Sequence, residues 1–185
     1  MDNISAEIMR KAVQGDIGAF EQIYKAYSSF VYNVAYRMVE AKEDAEEITQ
    51  EVFLIVHKKL NSFMFRSSLK TWVYRITANC AINLLNKRKR EQKGKVDFDD
   101  VLEFTADSVD LRRDLENRDR EENMMALLNL LNPEEKACIV LRSIQGLSYE
   151  EIAQSLNENI NTVRTRLKRA REKMMAHREV ITDEL

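Results

Sequence analysis

The sequence predicts an all-α protein made of two small helical domains joined by a flexible acidic linker, with a helix-turn-helix in the C-terminal domain. Three observations carry that prediction. Apolar residues recur at helical spacing along most of the chain, and no stretch alternates with a period of two. Chain breakers are scarce, four glycines and one proline in 185 residues, so each marks a boundary. Charge is segregated: the segments 66–90 and 164–173 are basic, and between them Asp97, Asp99, Asp100, Glu103, Asp107 and Asp110 form a run without Lys or Arg.

The elements follow in chain order. A first helix is expected from about Ser5 to Gln14, closed where Gly15 and Gly18 flank Asp16. Phe20, Ile23, Tyr24, Tyr27, Phe30, Val31, Val34 and Met38 then share one helical face. Ala45, Ile48, Val52, Ile55, Val56 and Leu60 share another, and Leu69, Val73, Ile76, Cys80 and Leu84 a third. Three amphipathic helices of this kind bury one common core. Gly94 opens the acidic segment, which divides the chain into domain 1–92, linker 93–117 and domain 118–185.

The C-terminal domain has sharper punctuation. Asn132-Pro133-Glu134-Glu135 places an N-cap, a proline at the first helical position and a carboxylate at the third. The helix 133–145 ends at Gly146, and Ser148-Tyr149-Glu150-Glu151 is a second capping box opening a short helix 149–156. Asn157, Asn159 and Asn161 crowd the next turn, and Asn161 is the expected cap of a basic helix from Thr162 to about 178.

Composition narrows the function classes. The chain is 44% apolar and 32% charged, a globular composition. No leader of a basic segment plus apolar core is visible, and the most apolar window, Phe30 to Val39, is too short to span a bilayer. Membrane insertion is therefore not expected. Cys80 and Cys138 stand far apart outside any CxxC pattern and read as free, half-buried thiols of a reducing cytoplasm. His57 and His177 stand alone, as helix-face residues rather than metal ligands. Paired catalytic carboxylates, nucleophile motifs and phosphate-binding glycine loops are missing from the sequence, so no enzyme and no cofactor is expected.

A net charge of −2 argues against nucleic acid only on average, because the two basic segments are separate from the acidic one. In the helix-turn-helix, Ile152, Ala153 and Leu156 supply the apolar face of the first helix, and Val163 and Leu167 that of the second, with the small Ala153 allowing a close crossing. Thr162, Arg164, Thr165, Lys168 and Arg169 then point outward, chemically suited to base edges and phosphates. In the other basic segment, Phe63, Phe65, Trp72 and Tyr74 are interleaved with Arg66, Lys70 and Arg75 and precede Lys87-Arg88-Lys89-Arg90. Aromatics among cations suit single-stranded nucleic acid. Trp72 and Tyr74 also read as core residues, whereas the loop from Ser62 to Ser68 is the better place to hold a flipped base. The helix from Asp44 to Leu60 begins with Asp44, Glu46, Glu47, Gln50 and Glu51, which taken alone complements a helix dipole.

Taken in order, Asp44-Ala-Glu-Glu-Ile-Thr-Gln-Glu-Val-Phe53, Ser62-Phe63, Thr71-Trp-Val-Tyr-Arg-Ile-Thr-Ala-Asn79, Leu147-Ser-Tyr-Glu-Glu-Ile-Ala153 and Thr162-Val-Arg-Thr-Arg166 resemble successive signatures of the extracytoplasmic-function (ECF) sigma factors of bacterial RNA polymerase. The resemblance covers nearly the whole chain and implies roles that composition does not give. Glu47, Gln50 and Glu51 would bind the clamp helices of the largest polymerase subunit, and the C-terminal domain the flap of the second. Phe63, Arg66, Lys70, Trp72 and Asn79 would serve the minus-ten element, with an unstacked base captured near Phe63. Asn161, Thr162, Arg164, Thr165, Lys168 and Arg169 would serve the minus-thirty-five element. The acidic linker would thread along the polymerase, and an anti-sigma factor would hold the chain inactive.

Two departures bear on the sites. Asn161 stands where the family commonly has glycine, and Phe63-Met64-Phe65-Arg66 where it often has Phe-Arg-Gly, so Phe63 and Phe65 both stay candidates for the base contact. The alternative reading is a helix-turn-helix regulator with an N-terminal sensing domain. A helical interaction protein without a nucleic-acid role is the third.

Overall fold

A computed structural model describes residues 4–63, 68–93 and 122–183. The acidic run and most of the linker, and with them Arg66 and Phe65, lie outside the described residues. Within them every regular element is helical. The N-terminal unit comprises α1 (Ala6–Val13), α2 (Ile17–Val39), α3 (Lys42–Lys59), a single 3₁₀ turn (Leu60–Ser62) and α4 (Leu69–Lys93). The C-terminal unit comprises a helix over 122–129, here α5, then α6 (Pro133–Ile139), α7 (Tyr149–Leu156) and α8 (Ile160–Asp183).

Local chemistry sets the boundaries. The Ser5 side chain caps α1, and Gly15 follows it at φ +91°, a conformation a Cβ disfavours. Asp16 Oδ1 accepts from the Ala19 N–H at 2.7 Å and starts α2. Helix α2 ends at Glu40 in the left-handed region, φ 61°, where glycine is the usual occupant.

Helices α2, α3 and α4 pack together around Ile23, Val31, Val34, Ala35, Val52, Val56, Val73 and Ala81, all fully buried. This is the three-helix core the periodicity predicts. Tyr24, counted there by its spacing, is instead 45% exposed, because its ring lies at the rim against Phe53, centroids 4.6 Å apart. Arg88 pairs with Asp44 at 2.5 Å and ties the end of α4 to the start of α3.

In the C-terminal unit the predicted capping boxes are both formed. Asn132 Oδ1 accepts from the Glu135 N–H at 2.8 Å, and Glu135 Oε2 accepts from the Asn132 N–H at 3.3 Å. Glu135 Oε2 also receives Lys173 Nζ of α8 at 2.7 Å, so one buried carboxylate caps α6 and anchors α8. The span expected as one helix to 145 changes character at Val140: residues Val140–Ile144 form a π-turn, closed by Gln145 N–H donating to Val140 O at 3.2 Å.

The two units are packed against one another. Helix α4 lies on α7 and α6, and α2 touches α6 and the π-turn. Tyr74 Oη donates to Gln145 Oε1 at 3.1 Å, and Asn86 Nδ2 to Glu134 Oε1 at 3.3 Å. The π-turn thus places Gln145 where α4 meets it.

Cys80 and Cys138 are free and buried, Cys138 completely, where half-burial was expected, because each faces inward from a core-facing helix. Burial pushes both thiols up to about 11, so both are protonated at neutral pH. A thiol reagent at pH 7 is expected to leave the folded chain unlabelled and to label two cysteines once denaturant is added. Labelling of the native protein at the rate of a free peptide thiol would contradict this burial.

Candidate nucleic-acid interface

The helix-turn-helix is built from its turn outward. Arg142 Nη1 donates to Leu147 O at 2.7 Å, and its guanidinium lies 5.2 Å from the Tyr149 ring, which braces the entry to α7. Ser148 Oγ accepts from the Glu151 N–H at 3.1 Å and Glu151 Oε2 from the Ser148 N–H at 2.7 Å. Helix α7 ends on Asn157, φ 53°, with Glu158 N–H returning to Ala153 O at 2.9 Å and Asn157 N–H directed to Gln154 O at 3.4 Å. That is the paired closure of a left-handed C-cap, with asparagine in the glycine position.

The cap of α8 differs from expectation. Asn159, not Asn161, begins the helix: its Oδ1 accepts from the Asn161 N–H at 2.8 Å, and its carbonyl accepts from Val163. Both asparagines are chemically competent, and with Asn159 as the cap the first helical residue is Ile160. Asn161 is displaced into the first turn, where its backbone oxygen accepts from Thr165 Oγ1 at 2.8 Å and its Oδ1 from Arg164 Nη1 at 3.2 Å.

Val163, Leu167 and Ala170 are buried, so α8 turns Asn161, Arg164, Thr165, Lys168 and Arg169 to solvent, with Thr162 half-buried beside them. The structure therefore brings the six duplex-reading candidates onto one helix end. Arg169 sits toward the flank and Lys168 pairs with Glu172 at 3.7 Å on the surface. On the packing side the expected small residue was Ala153; it is half-buried, and Ser155 is the fully buried one. Arg166, between the outward residues, folds back instead and pairs with Glu158 at 3.0 Å, fixing the turn to the helix. An arginine in a basic run gives no sequence signal of this inward role.

The second candidate face lies on α4. Phe63, half-buried, packs on the half-buried Trp72 with centroids 5.0 Å apart. Asn79 is exposed seven residues beyond Trp72, about two helical turns on the same side, with exposed Arg75 between them. Lys70 is separated from this stripe: nine residues from Asn79 is about half a turn out of phase, and its ammonium lies 5.7 Å from the Tyr74 ring on the side of α7. Trp72 thus serves both packing and surface, while Tyr74 is a core residue, edge-on to Phe30.

A third set lies on α3. Glu47, Gln50 and Glu51 are all exposed on one face, and the same spacing adds Leu54, 60% exposed. A groove of about 510 Å³ beside them is lined by Tyr24, Tyr32, Asn33, Glu46 and Gln50. An exposed leucine in an acidic stripe carries no signal in the helical periodicity, because a core leucine has the same spacing. His57 stacks edge-on with Phe20 at 4.9 Å, and no metal-holding cluster of His, Cys, Asp and Glu occurs among the described residues. No helix among them is long and apolar enough to cross a membrane.

Residues 23–91 match the family model for sigma-70 region 2, and residues 121–174 that for sigma-70, region 4. The chain is 33% identical over 175 residues to the ECF RNA polymerase sigma-E factor of Haemophilus influenzae, covering 89% of this chain and 90% of that one. To the ECF RNA polymerase sigma-E factor of Escherichia coli K12 it is 31% identical over 182 residues, covering 92% and 93%. Among solved structures it is similar to the sigma factor RpoE of Bartonella quintana, crystallised with the anti-sigma factor NepR, at a TM-score of 0.67 and 25% identity over 89% of this chain and 99% of that one.

The capping box of α7 sets the approach to the reading helix, and its loss is measurable. Ser148→Ala is expected to lower stability by ~1 kcal/mol in chemical denaturation. Hydrogen bonds from the Ser148 backbone and side chain hold Glu151 below its ordinary value of 4.5. A lowered carboxylate stabilises the fold above its unfolded value, so this contribution is present above pH 4.5 and fades as pH falls through the lowered folded value. The difference between wild type and Ser148→Ala should shrink in that acid window; a constant difference down to pH 2 would contradict the assignment.

Proposed function

The chain belongs to the ECF sigma factors of the sigma-70 family, and from that premise we propose how its exposed faces divide the work of finding and opening a promoter. It is a promoter-specific transcription initiation factor, not an enzyme. In our reading its unit 1–92 binds core polymerase and opens the minus-ten element, 93–117 links, and 118–185 reads the minus-thirty-five element.

The observation that carries this reading is the pairing of two unlike solvent faces in one chain. On α8, Arg164 and Thr165 stand in the first turns of a helix-turn-helix with Lys168 and Arg169 behind them. Arginine donates two parallel bonds to a guanine edge, threonine meets a thymine methyl or a polar edge, and lysine meets phosphate. Such a helix takes duplex DNA in its major groove. Asn161 keeps the Arg164 guanidinium on that face before DNA arrives. On α4, aromatic Phe63 and Trp72 adjoin Arg75 and Asn79, a stacking surface with hydrogen-bonding and cationic groups beside it. An unstacked base of the minus-ten element would lie here, read by Asn79 and stacked at the Phe63 loop, with Arg66 and Lys70 supplying charge at the flanks.

We assign the polymerase contact to Glu47, Gln50 and Glu51 on α3, against the clamp helices of the largest subunit, and a second contact of the C-terminal unit to the flap of the second subunit. The solved relative from Bartonella quintana carries an anti-sigma factor, and we infer that one holds this chain as well. The place of action is the cytoplasm, with the polymerase.

Run-off transcription with core polymerase on a panel of promoters tests the whole reading; a chain that binds duplex DNA alone yet never directs initiation would instead be a regulator. Within it, Asn79→Ala is expected to impair promoter opening, read by permanganate footprinting, more than closed-complex binding, read by gel shift. Equal losses would count against the melting face on α4. Arg164→Ala is expected to weaken minus-thirty-five recognition by about 1–3 kcal/mol and to relax the preference at one base pair. An unchanged preference would remove Arg164 from the reading set.

A further inference from the structure

The contact between the two units contains a buried cation. Lys136 of α6 is 5% exposed, and its ammonium has three acceptors: Glu40 Oε1 at 2.6 Å, Asn129 Oδ1 at 3.1 Å and Met38 O at 3.4 Å. Glu40 and Met38 belong to the end of α2, in the other unit. The second Glu40 oxygen accepts from Asn129 Nδ2 at 2.6 Å. Three donor protons and both carboxylate oxygens are thereby satisfied in one closed cluster.

Two features make this cluster more than incidental packing. Separated units would leave Lys136 and Glu40 hydrated and unpaired, so the pairing exists only when the units are shut. Glu40 also holds its carboxylate in the cluster from a left-handed C-cap, φ 61°, a position that would suit glycine better.

The shut arrangement is incompatible with reading both promoter elements. Helix α4 packs on α7 and α7 on α8. With interaxial distances of about 10 Å and a rise of about 1.5 Å per residue, the faces on α4 and α8 lie within roughly 40 Å of each other. Two promoter elements about two helical turns apart are separated by ~70 Å. The linker of 25 residues reaches roughly 80 Å extended, so the chain permits the span once the units part.

We propose that Lys136, Glu40 and Asn129 form an intramolecular latch that keeps the free chain closed, and that the latch must break before both promoter elements are engaged. Tyr74 with Gln145 and Asn86 with Glu134 add polar contacts along α4 to the same closure. The need to open rests on the two-element reading given above; the closure itself does not.

Small-angle X-ray scattering on the full chain, without polymerase, tests it. A compact body of this length has a radius of gyration of about 16 Å, whereas two compact halves with centres ~50 Å apart give about 28 Å. The wild type is expected near the lower figure. Glu40→Gly removes the carboxylate while supplying the residue the α2 C-cap favours, so helix content by circular dichroism should hold while the radius rises toward the upper figure. Lys136→Met should expand the chain likewise, and Lys136→Glu combined with Glu40→Lys should restore the compact value. An extended wild type, or a Glu40→Gly chain as compact as the wild type, would overturn the latch. With core polymerase at limiting sigma concentration, Glu40→Gly is expected to form open complexes several-fold faster than the wild type. If no variant, wild type included, supports run-off, the promoter reading fails while scattering still decides the latch.

Discussion

Helix α4 has three partners to satisfy at once, and the phase of its apolar residues decides how. Val73, Thr77 and Ala81 turn into the core shared with α2 and α3. Tyr74 buries its ring beside Phe30 and carries its hydroxyl to Gln145 in the C-terminal unit. Trp72, Arg75 and Asn79 are left for solvent and for whatever binds there. A helix repeats about every 3.6 residues, so these assignments are not independent. Moving the core stripe by one residue would carry Asn79 inward and lose Tyr74 from the unit boundary. The candidate single-strand face is therefore held by the packing of the N-terminal core rather than by a dedicated scaffold, which is what a rigid reader of an unstacked base needs.

The boundary between the units has a different physical character from the cores on either side. Beside its apolar contacts it carries a buried ion pair and several hydrogen bonds between side chains. Burying a charge pair costs desolvation that its attraction only partly offsets, so such a pair is weak evidence of tight association and stronger evidence of a particular geometry. That combination suits a contact made in one register and released as a whole. The small size of each unit bears on the same contact: a helical unit of this size buries limited apolar surface by itself, and the contact joins the buried residues of both units into one continuous cluster.

Legibility in the sequence followed the range of the interaction. Asn132-Pro133 with Glu135 and Ser148 with Glu151 form their boxes within four residues, and both were readable as such. The three-helix core was readable because its period is long and repeated. Asn159 against Asn161 was not, since two caps of equal chemistry stand two residues apart and nothing local in the sequence separates them. The π-turn at Val140–Ile144 leaves no local mark, and Lys136 with Glu40, 96 residues apart, leaves none at all. At the candidate sites, the outward set on α8 was legible from the inward Val163 and Leu167. Arg166 was hidden because a basic run does not say which of its arginines turns back to Glu158.

The same distinction between mean and placement explains how a chain of net charge −2 can present a nucleic-acid surface. Residues 160–177 hold six Lys or Arg and one Glu, a local charge of +5. Phosphate attraction is screened over about 8–10 Å at physiological salt, so DNA lying against α8 responds to that segment far more than to acidic residues distant along the chain. Arg166 and Lys173 give up part of this charge to Glu158 and Glu135 inside the unit. Among the cations outside these pairs, Arg164 lies in the first turns of the helix and Arg169 further along it. In the proposed reading, the charge of this helix positions it on DNA and its first turns meet the bases, so the strength of its hold should depend on salt more steeply than the whole chain's charge would suggest.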